Sequence, residues 1–137
     1  MKLLVFMLDA LCASDIDFMK TLPNFAEMFA RGSYVKSIEP ACPALTYCCH
    51  TTIVTGKHVK NHGIVHNEIL ERGAKNKAPW HSMRKDIKAK TFLDYAMEAG
   101  LTTCSLSWPI TGNANYTYNM PMIVPYSYKG WEPKPYL

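Results

Sequence analysis

Residues 43–56 read PALTYCCHTTIVTG and place a hydroxyl group, that of Thr46, at the start of a predicted helix. We expect this helix to cover residues 46–55, about two to three turns, and to end at Gly56. The first turn of a helix presents unpaired N–H groups and the positive end of the helix dipole, which attract phosphate and other anions. If a metal lowered the pKa of its hydroxyl, Thr46 could act as a nucleophile; otherwise it is an ordinary N-cap.

Two more polar side chains stand where a site could form. Asp9 ends the apolar run of residues 2–9, which we predict to be a fully buried strand. Ligands gather at the carboxyl ends of strands in α/β sheets, so this carboxylate could bind a metal or a substrate, or could cap a helix. Asn67 follows a predicted turn in the segment HGIVHN, and its amide could donate to a phosphoryl oxygen.

These residues together carry a family resemblance. Asp9, residues 46–50, 54–56 and 62–64, and Asn67 resemble the type I phosphodiesterase/nucleotide pyrophosphatase family of the alkaline phosphatase superfamily. The motifs stand in the family's order and spacing, over residues 2–112. The resemblance implies an α/β, three-layer alkaline-phosphatase-like fold with a mostly parallel sheet. It also implies metal-dependent hydrolysis of phosphodiester or pyrophosphate bonds in small molecules such as nucleotides.

The resemblance further implies a role for each residue. Asp9 would be a zinc ligand, Thr46 would be both the nucleophile and a ligand of the same zinc ion, and Asn67 would donate to a non-bridging phosphoryl oxygen. The complete family site holds two zinc ions and takes further Asp and His ligands from a later part of the domain. This sequence has no Asp or His after Asp94, so we expect the chain to bind catalytic zinc poorly and to hydrolyse little. The alternative is a non-catalytic α/β anion-binding module that lost the chemistry.

A second zinc interpretation rests on the histidines. His58, His62 and His66 recur every fourth residue, and on one continuous helix their imidazoles would line one face, with Cys48 or Cys49 nearby as a further ligand. Gly63 and the turn signal before it interrupt such a helix. An independent His/Cys zinc module is therefore the weaker interpretation.

The elements that must position these residues follow from the hydrophobic pattern. The sequence predicts helices at residues 21–32 and 90–100 and strands at residues 33–39 and 101–108, in addition to those above. The strand at 101–108 should lie parallel in the same sheet, because the helix before it would lead into it by a right-handed crossover. Residues 1–137 would form the N-terminal part of an alkaline-phosphatase-like catalytic domain, with 110–137 as the start of an insertion or a poorly packed tail.

Composition excludes several classes of protein. The net charge of +4 lies mainly in residues 57–60 and 72–90 and forms no basic, aromatic-rich face, so we expect a small anionic substrate and no nucleic acid. Five cysteines are an odd number without scaffold spacing, which favours reduced thiols. No stretch of about 18 apolar residues occurs, and the run at residues 3–8 is too short for a signal peptide. We therefore expect a cytoplasmic protein without a membrane segment.

Overall fold

The computed structural model describes residues 2–69, 73 and 78–122, and the chain divides into two compact units, Met1–Glu39 and Pro40–Leu137. Within the described residues the helices are α1 (Ile16–Met19), α2 (Pro23–Arg31), α3 (Thr46–Thr55), α4 (Val59–His62) and α5 (Phe92–Glu98), and the strands are β1 (Cys104–Pro109) and β2 (Tyr118–Met122). These helices and the small parallel sheet make a mixed α/β structure. None of these helices is long and apolar enough to cross a bilayer.

In the first unit, α2 confirms the helix predicted at residues 21–32. Pro23 occupies the first helical position, where its fixed φ suits the helix and its missing N–H costs no hydrogen bond. Phe29 packs edge-on against Tyr34 with ring centroids 5.0 Å apart. Met28 on the same helix is 66% exposed, so the apolar side chains of α2 are only partly covered.

The strands predicted at residues 2–9 and 33–39 do not form in the described structure, so both predictions are wrong. Their apolar side chains are exposed, to 85% for Leu4 and 83% for Ile38. A strand is stable only when its backbone pairs with a neighbouring strand, and the described residues of this unit contain no strand. Asp9 therefore ends an unpaired segment and not a buried strand.

In the second unit, α3 has the bounds that the sequence predicts. Gly56 follows its last residue with φ 61°, in the left-handed region that glycine adopts without steric cost. Gly63 ends α4 in the same way, with φ 82°. No continuous helix therefore runs through the three histidines predicted as an alternative zinc site.

The hydrophobic core of the second unit forms against α3. Its buried members are Tyr47, Cys48, Ile64, Ile87 and Ile110, with Leu45, Val59, Trp80 and Met122 packed around them. Trp80 meets Tyr47 edge-on, with ring centroids 5.2 Å apart and planes at 85°, a favoured aromatic geometry. Because Tyr47 and Cys48 directly follow Thr46, the core holds the first turn of α3 in place.

The helix predicted at residues 90–100 is confirmed as α5. Thr91 is its N-cap: the Asp94 N–H donates to Thr91 Oγ1 over 3.2 Å, and the Thr91 N–H donates to Asp94 Oδ2 over 2.6 Å. Arg84 binds the Asp94 carboxylate and also donates to the carbonyl of Ala89 over 2.8 Å. This network joins the start of α5 to the segment before it.

The strand predicted at residues 101–108 is confirmed as β1, and its parallel partner is β2. β2 lies in the segment 110–137, where the sequence pattern predicted no element. Its sequence YNMPM contains Asn and Pro, which are uncommon in strands. The sequence pattern therefore does not predict a strand at these residues. Residues 123–137 lie outside the described residues, and the insertion proposed to start at residue 110 stays a prediction.

A bulge in β1 changes the direction of its last side chains. Leu106 pairs with Met120 and Pro109 with Met122, so three steps along β1 match two along β2. Ser107 lies at this extra position with φ 53°. One extra residue shifts the alternation of faces, and Trp108 consequently turns toward α3.

Candidate functional site

Thr46 is the first residue inside α3 and is half-buried. The N-cap position belongs to Leu45, whose backbone is extended (φ −106°, ψ 148°) and whose side chain offers no acceptor for the free N–H groups. The interpretation of Thr46 as an ordinary N-cap is therefore wrong by one residue. The first turn of α3 also contains no acid, so no carboxylate of its own neutralises the positive end of the helix.

The structure brings Thr46 and Asn67 together. The backbone N–H of Tyr47, the residue after Thr46, donates to Asn67 Oδ1 over 3.0 Å. Asn67 is also held by its backbone, because its carbonyl accepts the His81 N–H over 2.9 Å. Since a backbone N–H can only donate, the oxygen of the Asn67 amide must face Tyr47, and its NH₂ group is turned away as a donor. Its oxygen thus holds α3 while its nitrogen can bind an anion.

The two side chains that follow Thr46 are poorly suited to act as nucleophiles. Burial, and to a smaller extent Cys49, raises the pKa of the Cys48 thiol, which keeps it protonated and unreactive near neutral pH. Burial likewise raises the pKa of Tyr47 to about 12. Cys48 is fully buried and Tyr47 is 1% exposed, so both serve the core.

The histidines predicted as alternative zinc ligands make local hydrogen bonds. His62 is fully buried; its Nδ1 accepts the Ile64 N–H over 3.1 Å, and its Nε2 lies 3.1 Å from Thr52 Oγ1. The Nδ1 of His66 accepts the Glu68 N–H over 3.1 Å. Both imidazoles therefore serve the backbone of the turn that leads to Asn67.

The residues present do not by themselves fit a zinc ion. Asp9, the predicted ligand in the first unit, is exposed, and its Oδ1 accepts the Ala10 N–H over 3.1 Å. Zinc takes four ligands in structural sites and at least three protein ligands in catalytic ones. In the part of the chain that the structure describes, no group of three or more His, Cys, Asp or Glu residues could hold a metal.

Sequence reasoning missed the contacts of His50. Its Nδ1 lies 2.7 Å from the Thr46 carbonyl oxygen, and its ring meets Trp108 edge-on with centroids 4.9 Å apart. In a helix the backbone carbonyl of residue i−4 lies next to residue i, so the spacing from 46 to 50 was a signal for the first contact. The bulge that aims Trp108 at this ring has no comparable sequence signal.

Comparison with known proteins identifies the family of this arrangement. Residues 3–134 match the family model described as type I phosphodiesterase / nucleotide pyrophosphatase. The chain belongs to this family. The type I phosphodiesterase/nucleotide pyrophosphatase resemblance read from residues 2–112 is thus confirmed, and the match extends it through most of the chain.

The chain is also similar to individual nucleotide pyrophosphatase/phosphodiesterase proteins. Over 99 residues the chain is 38% identical to ectonucleotide pyrophosphatase/phosphodiesterase family member 7 of Rattus norvegicus, covering 69% of this chain and 22% of the relative. It is 40% identical over 60 residues to family member 7 of Homo sapiens, covering 44% of this chain and 13% of that protein. It is 29% identical over 111 residues to family member 3 of Bos taurus, covering 77% of this chain and 13% of that protein.

The matched part is a small share of these family members, 13% to 22% of their length. No solved structure matches the chain.

Proposed function

We propose that this chain contributes the nucleophile and one phosphoryl-oxygen donor to a hydrolase of phosphodiester or pyrophosphate bonds. Thr46 is the proposed nucleophile, and the NH₂ group of Asn67 is the proposed donor. The observation that carries this proposal is the hydrogen bond from the Tyr47 N–H to Asn67 Oδ1, which spans 20 positions and joins Asn67 to the peptide group that follows Thr46. Membership of the family supports the reaction class.

The proposed chemistry is a displacement at phosphorus. The Thr46 oxygen attacks in line with the leaving alcohol, so that a P–O bond to Thr46 forms while the bond to the leaving oxygen breaks. A water molecule then cleaves the phosphothreonine ester and restores the hydroxyl. The Asn67 NH₂ group and the positive end of α3 stabilise the negative charge that develops on the non-bridging oxygens.

Zinc belongs to this proposal as the group that would lower the pKa of the Thr46 hydroxyl. Asp9 and Thr46 are the two proposed ligands from this chain, too few for a zinc site. We therefore expect residues 1–137 alone to bind zinc weakly and to turn over slowly. The substrate that we propose is a small phosphodiester or nucleotide, a class supported by the names of the relatives.

The three-layer alkaline-phosphatase-like fold is also part of the proposal. Parallel sheets normally have both faces covered. One face of the sheet turns toward α3, and on the other face Leu106, Tyr118 and Met120 are each more than half exposed within the described residues. A further layer on that face would complete the three-layer arrangement.

The test uses a chimera in which this chain replaces the matched segment of family member 7 of Rattus norvegicus. We expect the chimera to hydrolyse bis(p-nitrophenyl) phosphate in the presence of zinc, and Thr46→Val to lower the rate by at least about 10³-fold, because it removes the nucleophile and keeps the shape. Thr55→Val, at the far end of α3, is the matched control and should keep the rate. Comparable rates in the Thr46→Val and Thr55→Val chimeras would refute the proposal.

The second candidate is a non-catalytic anion-binding module, favoured by the first turn of α3, which contains no acid to offset the positive end of the helix. It predicts that the chain binds phosphate or a nucleotide without turnover, and that the chimera stays inactive with an intact fold. Calorimetric titration of the chain with inorganic phosphate, beside the chimera assay, separates the two candidates.

A further inference from the structure

Two side chains contact the peptide group that joins Thr46 to Tyr47. The carbonyl of this peptide, on Thr46, lies 2.7 Å from His50 Nδ1. The N–H of the same peptide, on Tyr47, donates to Asn67 Oδ1 over 3.0 Å. Because a peptide group is a rigid plane, contacts at both of its ends fix its orientation. We call this arrangement the peptide clamp: His50, the Thr46–Tyr47 peptide and Asn67.

Hydrogen-bond polarity shows which ring nitrogen carries a proton in His50 and in His62. A carbonyl oxygen can only accept, so His50 must carry a proton on Nδ1. The buried His62 differs, because its Nδ1 accepts the Ile64 N–H and its neutral ring therefore carries the proton on Nε2. The structure thus assigns opposite tautomers to two buried histidines.

Packing holds the His50 ring in the orientation that the clamp needs. His50 is 6% exposed, and Trp108 meets it with ring planes at 67°. Trp108 faces His50 because the β1 bulge moves it to the side of the sheet that carries Ser105. A ring fixed by packing loses little further freedom when it donates its hydrogen bond.

We propose that His50 is a positioning residue for Thr46 and Asn67. It holds the carbonyl end of the peptide after Thr46, while Asn67 holds the N–H end and thereby directs its own NH₂ group away from α3. The Cα of Thr46, which carries the side chain with the hydroxyl, and the Asn67 amide are then fixed relative to each other through one peptide plane. This inference rests on the proposed function, because that function makes Thr46 the residue to be positioned. The clamp itself can be tested without activity.

Complementary variants separate the hydrogen bond from the packing. His50→Phe keeps a ring against Trp108 and removes the Nδ1 donor. His50→Asn removes the ring and keeps a donor, since the Asn side-chain nitrogen takes the place of Nδ1. His62→Asn is the matched control, since it alters another buried histidine that has no contact with the clamp among the described residues.

The first measurement is nuclear magnetic resonance on the full 137-residue chain labelled with ¹⁵N. We expect a proton on Nδ1 of His50 and on Nε2 of His62. Amide exchange of Tyr47, taken relative to that of Val54 in the same helix, should be about 10-fold faster in His50→Phe, because a clamped N–H is protected from exchange. It should be near wild type in His50→Asn and in His62→Asn. The ratio to Val54 removes any change in global stability.

The second measurement is kinetic, in the chimera described above. His50→Phe should lower kcat by about 10- to 100-fold with little change in KM, since small misplacements of a nucleophile cost rate more than binding. His50→Asn should restore most of this loss. A proton on Nε2 of His50, or equal Tyr47 exchange in wild type and His50→Phe, would overturn the clamp. Confirmed tautomers with full activity in Thr46→Val would instead leave the clamp and refute the proposed function.

Discussion

Asn67 serves the fold with one atom of its side chain and the proposed reaction with another, so two substitutions can separate the roles. Asn67→Asp keeps an oxygen for the Tyr47 N–H and loses the NH₂ donor. Asn67→Ala loses both. In the chimera we expect both variants to lower kcat by about 10²- to 10³-fold, since each lacks the donor to the phosphoryl oxygen.

Unfolding in urea distinguishes these two variants of the chain. Asn67→Ala should lower the free energy of unfolding by about 1–3 kcal/mol, because it leaves the part-buried Tyr47 N–H without its acceptor. Asn67→Asp should stay within about 1 kcal/mol of wild type, because its carboxylate still accepts that N–H. Equal stability of the two variants would contradict the structural role of the Asn67 oxygen.

His62 makes stability depend on pH. Burial lowers its pKa from the ordinary value near 6.5. Between about pH 6.5 and the lower folded-state pKa, the unfolded chain binds a proton that the folded chain does not, so stability is full above this range and is lost as the pH falls through it. His62→Asn keeps an acceptor for the Ile64 N–H and does not titrate.

The measurement is urea unfolding at about pH 8 and about pH 5.5, on either side of the ordinary histidine pKa. Wild type should lose more stability than His62→Asn between these values. An equal loss in both proteins would show that His62 does not carry the effect.

At the level of elements, the β1–β2 sheet has one apolar face without a cover in the described residues. Leu106 and Met120, paired across the strands, are 67% and 55% exposed. We expect this face to bind the dye 8-anilinonaphthalene-1-sulfonate and to promote association of the chain. The double variant Leu106→Lys/Met120→Lys should reduce both effects by at least about half, at a stability cost below about 1 kcal/mol because both side chains are already exposed.

The control for this face is Tyr95→Lys, which changes a 59% exposed aromatic side chain on α5. It should leave dye binding and association near wild type. Fluorescence titration and analytical ultracentrifugation measure the two effects. If Tyr95→Lys lowers dye binding as much as the double variant does, the sheet face is not the site of binding.

The elements also show what sequence patterns can and cannot predict. α3 could be placed to the residue because a helix carries its own hydrogen bonds and Gly56 marks its end. The strand predicted at residues 2–9 failed because a strand needs a partner, and its composition says nothing about whether one is present. β2 was missed for the opposite reason: its partner β1 stabilises a segment with poor strand propensity.

At the level of the site, sequence alone could indicate Thr46 and Asn67 but not their connection. The Tyr47 N–H that joins them belongs to a backbone group, and motif spacing carries no information about such contacts. The same holds for Trp108, whose contact with His50 depends on a bulge. The residue types predicted the candidate chemistry. The fold is needed to show that His50 and Asn67 contact opposite ends of the Thr46–Tyr47 peptide.

For the whole molecule, the candidate residues are not all in one compact unit. Thr46, Asn67 and His50 lie in the unit Pro40–Leu137, whereas Asp9 lies in the unit Met1–Glu39. The role of Asp9 as a zinc ligand therefore stays a prediction. The chain matches 22% of the length of family member 7 of Rattus norvegicus. The activity tests therefore use a chimera.

The most direct test of the central claim is to detect phosphorylated Thr46. The chimera is mixed with bis(p-nitrophenyl) phosphate and zinc, quenched in acid within one turnover, digested and analysed by mass spectrometry. We predict a nitrophenyl phosphate adduct on the peptide that contains Thr46, absent from the Thr46→Val chimera. Release of p-nitrophenol with no adduct on Thr46, or at the same rate in Thr46→Val, would contradict the assignment of Thr46 as the nucleophile.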